Sequence, residues 1–90
     1  MSKKVGGKHF DRFKTIINKD YRIQIDCHVR FFIFLVRQLS KHVKILSAHR
    51  EDGMAEIVCH AETLRDCAHM KRILRDWIGP KKFVIEELPV

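Results

Sequence analysis

Ninety residues with 46% hydrophobic side chains supply one core and leave no room for a second domain. Eighteen Lys and Arg against eleven Asp and Glu give a net charge of +7, so the composition favours anionic partners and excludes nothing finer. Three cysteines without C-x-x-C spacing argue against a disulfide framework and for a reducing, cytoplasmic setting, and no apolar run approaches the roughly 20 residues of a membrane span.

Residues 1–8 are polar and basic, with Gly6 and Gly7, and read as a flexible basic arm ahead of a single α+β domain over residues 9–90. The charge excess is concentrated at this end. Residues 1–22 carry +5 and the remainder +2. From His9 to Asn18, Phe10, Phe13, Ile16 and Ile17 fall at helical spacing, which predicts a short N-terminal amphipathic helix.

Tyr21 to His28 alternates, with Tyr21, Ile23, Ile25 and Cys27 on one side of a strand and Arg22, Gln24, Asp26 and His28 on the other. Val29 to His42 predicts a helix with Phe32, Leu35, Val36 and Leu39 on its core stripe, continued by Val43. Phe31, Ile33 and Phe34 fall beyond that stripe and call for a second covering surface, which makes Phe31 and Phe34 candidates for an oligomer interface.

Lys44 to Glu51 and Met54 to Glu62 flank Asp52-Gly53, the signature of a β-hairpin. A two-residue loop puts Leu46 and Ala48 on the side of Ile57 and Cys59, whereas a loop longer by one residue brings in Ile45 and Ser47. Thr63 with Asp66 resembles a capping box and starts a second helix near Leu64, with a stripe of Leu64, Cys67, Ala68, Leu74, Trp77 and Ile78. Gly79-Pro80 stops it, and Lys82 to Glu87 is the last strand, with Phe83 and Ile85 on one side.

The order β-α-β-β-α-β predicts a ferredoxin-like fold: a four-stranded antiparallel or mixed sheet with both helices on one face. Its first and third strands are expected to be adjacent, parallel and central. The open face would then show Arg22, Gln24, Asp26, His28, Glu56, Val58, His60, Lys82, Val84 and Glu86.

Val43-Lys44-Ile45-Leu46-Ser47-Ala48-His49 followed by Asp52-Gly53-Met54-Ala55-Glu56-Ile57 resembles the second strand, turn and third strand of ACT domains. These are small ligand-binding regulatory domains, including those at the C-terminal end of alarmone synthetases. The resemblance spans residues 21–88 and implies a small-molecule-sensing regulatory dimer that pairs through sheet edges or helices. The family's loop between first strand and first helix usually holds a glycine. Here it reads Asp26-Cys27-His28-Val29-Arg30, so no ligand-binding residue is carried over.

Cys27-His28 and Cys59-His60 imitate a Cys2His2 metal set, but alternation along a strand sends cysteines and histidines to opposite sides, so no metal site or other cofactor is expected. His28 and His60 with Asp26 and Glu56 have the residue types of an acid-base enzyme, yet no nucleophile or oxyanion donor accompanies them. Lys71, Arg72 and Arg75 on the second helix, Lys81 and Lys82 after it, and Lys3, Lys4, Lys8 and Arg12 near the N-terminus form a candidate phosphate- or carboxylate-binding set. The open sheet face lacks the Phe, Tyr or Trp platform on which this architecture stacks single-stranded bases. The sequence therefore favours a non-enzymatic interaction or regulatory module, dimeric through Phe31 and Phe34, that binds nucleic acid, ribonucleoprotein or acidic protein.

Overall fold

The computed structural model describes residues 14–79 and 82–89. Its elements are β1 (Ile16–Asp26), α1 (Val29–Leu39), β2 (Lys44–Glu51), β3 (Met54–Thr63), α2 (Leu64–Trp77) and β4 (Phe83–Leu88). The four strands form one antiparallel sheet in the order β2-β3-β1-β4, an arrangement compatible with a ferredoxin-like fold. β1 and β3 are adjacent and central as expected, but they run antiparallel rather than parallel. The reason is topological: α1 returns the chain so that β2 runs with β1, and the tight hairpin then reverses β3.

Alternation along β1 is as read. Tyr21, Ile23 and Ile25 are buried, and they join Ile57, Cys59 and Ala61 of β3 under Leu35 and Leu39 of α1 and Cys67, Met70 and Leu74 of α2. One continuous core thus lies between the sheet and both helices. The α2 stripe differs from expectation: Met70 is fully buried, while Leu64, Ala68 and Trp77 are exposed. Cys67, Met70 and Leu74 follow i, i+3, i+7, a narrower apolar arc than a stripe that also includes Ala68, and Trp77 lies at the helix end.

The expected N-terminal helix does not extend through Ile16, Ile17 and Asn18, which belong to β1; its earlier residues, 9–13, lie outside the described residues. Ile16 pairs with Thr63, and a bulge between Ile16 and Lys19 sits at Asn18, whose φ is +45°. Adjacent β-branched residues favour the strand, and Asn tolerates the left-handed conformation that the bulge requires.

The β2-β3 loop is Asp52-Gly53 alone, with φ of +54° and +82° and Glu51 paired to Met54. Positive φ at both positions is the two-residue hairpin geometry that matches strand twist. Ala48 stands opposite Ile57 as the short loop predicts, but a register shift between Ile45 and Ser47 then brings Ile45, not Leu46, opposite Cys59. Each alternative is therefore right on one side of the bulge. Ile45 packs against the core and Leu46 is exposed.

The α2 capping box is complete: the Asp66 N–H donates to Thr63 Oγ1 at 3.2 Å and the Thr63 N–H to Asp66 Oδ2 at 3.3 Å. Thr63→Ala removes one bond and strands the Asp66 amide, so it should cost about 1 kcal/mol in a denaturant titration. At the other end Gly79, at φ +110°, donates to Arg75 O at 3.1 Å and closes the helix.

Candidate anion-binding face

Charge is sorted between the layers of the fold. The two helices and the turn after α1, residues 29–43 and 64–77, hold seven basic and two acidic side chains, whereas the four strands hold four basic and seven acidic. The modest excess outside the N-terminal stretch therefore conceals a positive helix layer on a negative sheet.

Within the sheet, two of the four basic groups are neutralised across strands. Arg22 meets Glu86 at 2.6 Å and Lys19 meets Glu87 at 3.3 Å, both between β1 and β4. His60 Nδ1 lies 2.6 Å from Asp20 Oδ1 and its Nε2 3.2 Å from Asn18 Oδ1. His49 and Glu56 face each other at 4.0 Å across β2 and β3. Arg50 donates from Nε to Cys27 O at 2.7 Å, and the Cys27 N–H donates to Gly53 O at 3.0 Å, so the hairpin tip ties down the two-residue β1-α1 loop.

On the helix layer the arginines have no such partners. Arg30, Arg37, Arg65, Arg72 and Arg75 form no ion pair with any described carboxylate. The spacing of Arg65, Arg72 and Arg75 repeats the i, i+7, i+10 pattern of one helix side, opposite the stripe of Cys67, Met70 and Leu74. With Ala68 and His69 they line a shallow hollow of about 280 Å³ on α2. Ala68 contributes only a methyl group, and its small size leaves the hollow between the longer side chains. His69 also anchors the turn after α1, its Nδ1 3.0 Å from that of His42. One of these nitrogens donates and the other accepts.

The candidate residues read from the sequence separate in space. Arg72 and Arg75 share the α2 hollow. Lys71 turns to the flank, its Nζ 6.0 Å from the centre of the buried Tyr21 ring. Lys82 lies across the molecule on the open sheet face, beside Gln24, Asp26 and Val84. Lys3, Lys4, Lys8, Arg12 and Lys81 lie outside the described residues. Arg65 and His69 were not among the candidates. Counting Ala68 as core hid the outer side of α2, and the seven-residue interval from Arg65 to Arg72 was the signal that marks it.

Phe31 and Phe34 project from α1 toward α2. Their ring centroids are 6.5 Å apart, and Phe34 meets Trp77 edge-on at 5.0 Å. Phe31 is half-buried, while Phe34 and Trp77 keep 38% and 52% of their surface exposed. A cluster of large apolar groups thus remains open to solvent between the helices.

The histidines expected to form an acid-base group do not come together. His28 caps α1, its Nδ1 accepting from the Arg30 N–H at 3.3 Å, while His60 is held by Asp20 and Asn18. Cys59 is buried on β3 as alternation predicts, whereas Cys27 and His28, expected to end the first strand, lie beyond it in the β1-α1 loop. No group of three or more His, Cys, Asp or Glu among the described residues is placed to hold a metal ion. No helix among the described residues is long and apolar enough to cross a membrane. Compared with family models, curated proteins and solved structures, the chain matches none.

Proposed function

We propose that this chain is a non-enzymatic interaction module whose helix layer binds an anionic macromolecular partner. The observation that carries this reading is the segregation of charge: the sheet pairs Lys19 and Arg22 with glutamates and holds an acidic excess, and the helix layer presents arginines with no described carboxylate to meet them. Unpaired guanidinium groups on one side of a helix supply planar, bidentate donors for phosphate or carboxylate, and the surplus field steers such partners inward. An acid-base reaction is the weaker reading, because both ring nitrogens of His60 already face protein oxygens.

The test is a titration with a single-stranded oligonucleotide and with poly-glutamate at about 50 and 200 mM salt. Affinity should fall with salt, and Arg72→Glu with Arg75→Glu should weaken binding and lower the magnitude of the salt slope by about two. A chain lacking residues 1–8 should retain the loss caused by that double reversal. Binding indifferent to salt and to the reversal contradicts the proposal.

A small-molecule sensor of the ACT type is the second reading, on the strength of the element order. In this chain both backbone groups of Cys27 in the β1-α1 loop are engaged by the hairpin, so a ligand there has to displace Arg50 or Gly53. A rise in thermal midpoint with amino acids or nucleotides supports that reading, and no shift across the panel opposes it.

A further inference from the structure

We infer that the partner is an acidic amphipathic protein segment, seated with its apolar stripe on Phe34 and Trp77 and its carboxylates on Arg30 and Arg37. The inference rests on the proposed anionic partner and goes further, naming its class and the anchor residues. A phosphate backbone needs only the cations. It leaves unexplained why two large aromatic side chains at the meeting of α1 and α2 stay 38% and 52% exposed beside them.

The arrangement has the anatomy of a protein docking site. Phe34 is flanked along α1 by Arg30 four residues before it and Arg37 three residues after it, so an apolar centre carries cations at helical spacing. Trp77 closes the centre from α2, and Trp and Arg are the residue types that most often dominate binding energy. A helix with an apolar stripe and flanking carboxylates matches both features at once.

A second copy of this chain fits less well. In a two-fold pair through Phe31 and Phe34, the same patch of each copy faces the other, so Arg30 and Arg37 of one copy approach those of its partner. That like-charge cost is absent with an acidic segment.

Trp77 is the only tryptophan in the chain, and its emission reports burial directly. The test titrates the full chain with an acidic peptide of about 15 residues bearing an i, i+3, i+4, i+7 leucine stripe, and with a scramble of identical charge and composition. Expected are a blue shift of Trp77 with the amphipathic peptide and binding at least about tenfold tighter than the scramble. Phe34→Ala should remove most of that margin while leaving poly-glutamate binding unchanged. Because Phe34 is partly exposed, circular dichroism should show this variant folded.

Equal binding of the peptide and its scramble, with Phe34→Ala silent, overturns the inference and leaves the anionic-partner reading standing. Failure of all anionic probes overturns both. A Trp77 shift that depends on Phe34 with an oligonucleotide or with anionic phosphatidylglycerol vesicles, but not with the peptide, assigns the patch to those surfaces and overturns the inference. So does a Trp77 shift on dilution coupled to dissociation of a dimer in sedimentation.

Discussion

Ile23→Ala should destabilise the protein by about 2–5 kcal/mol, a large share of the about 5–15 kcal/mol typical of a whole domain. Ile23 is fully buried on the central strand β1, paired with Ile57 of β3 on one side and Ile85 of β4 on the other. Truncation there removes apolar burial and opens a cavity that the neighbouring strands cannot close without breaking register. Urea denaturation should show a lower midpoint at unchanged slope. Val84→Ala, on the exposed side of β4, provides the comparison and should stay within about 0.5 kcal/mol of wild type. Equal losses at the two positions would contradict the assignment of sheet faces.

Alkaline pH should destabilise the protein through thiol and phenol groups held in or against its core. Burial, reinforced by the charges of Asp20 and Cys67, pushes the Cys59 thiol from an ordinary 9.0 up to about 12. Burial likewise raises Tyr21, aided by its contact with Cys67, whose Sγ lies 3.4 Å from the phenol oxygen. Burial also raises Cys27, against an opposing effect of Arg50.

In each case the folded state holds its proton more tightly than the unfolded chain. The associated stability is therefore complete below about pH 9 and is lost as pH rises toward about 12, by up to about 4 kcal/mol for Cys59 alone. Denaturant titrations at pH 7, 9 and 11 should show this decline, and Cys59→Ala should flatten it even though the variant starts from a lower stability. A pH profile flat to 11, or one unchanged by Cys59→Ala, would contradict the buried-thiol account. The same burial predicts that Cys59 and Cys67 resist alkylation at neutral pH in the folded protein.

Much of the fold was legible because its signals are local. The Asp52-Gly53 turn, the Thr63 and Asp66 cap, and the alternation of Tyr21, Ile23 and Ile25 each specify geometry within a few residues. The misses arise where tertiary pairing decides. Ile16 and Ile17 fit a helical period, yet β3 extends far enough to pair Ile16 with Thr63 and draws them into a strand. The bulge at Leu46 leaves no local mark, since either register buries one apolar residue of the pair Ile45 and Leu46.

The candidate site was legible only in part. Net charge pointed to the N-terminal stretch, because a running count along the chain averages helices against strands. Only folding separates Arg30, Arg37, Arg65, Arg72 and Arg75 from Asp20, Asp26, Glu56 and Glu86 and brings the first group into one layer. The exposure of Phe34 followed from its place beyond the α1 stripe. The exposure of Trp77 did not, because it continues the stripe of Cys67, Met70 and Leu74 and is left open by its place at the end of α2.

Amide chemical-shift mapping of the full chain during titration with poly-glutamate tests the charge-sorted surface most directly. Shifts should concentrate on Arg65 to Arg75 of α2 and Arg30 to Arg37 of α1, with Arg22, Gln24, Glu56 and Glu86 on the open sheet face unmoved. A map centred on the open sheet face, with the α2 amides still, would contradict the account.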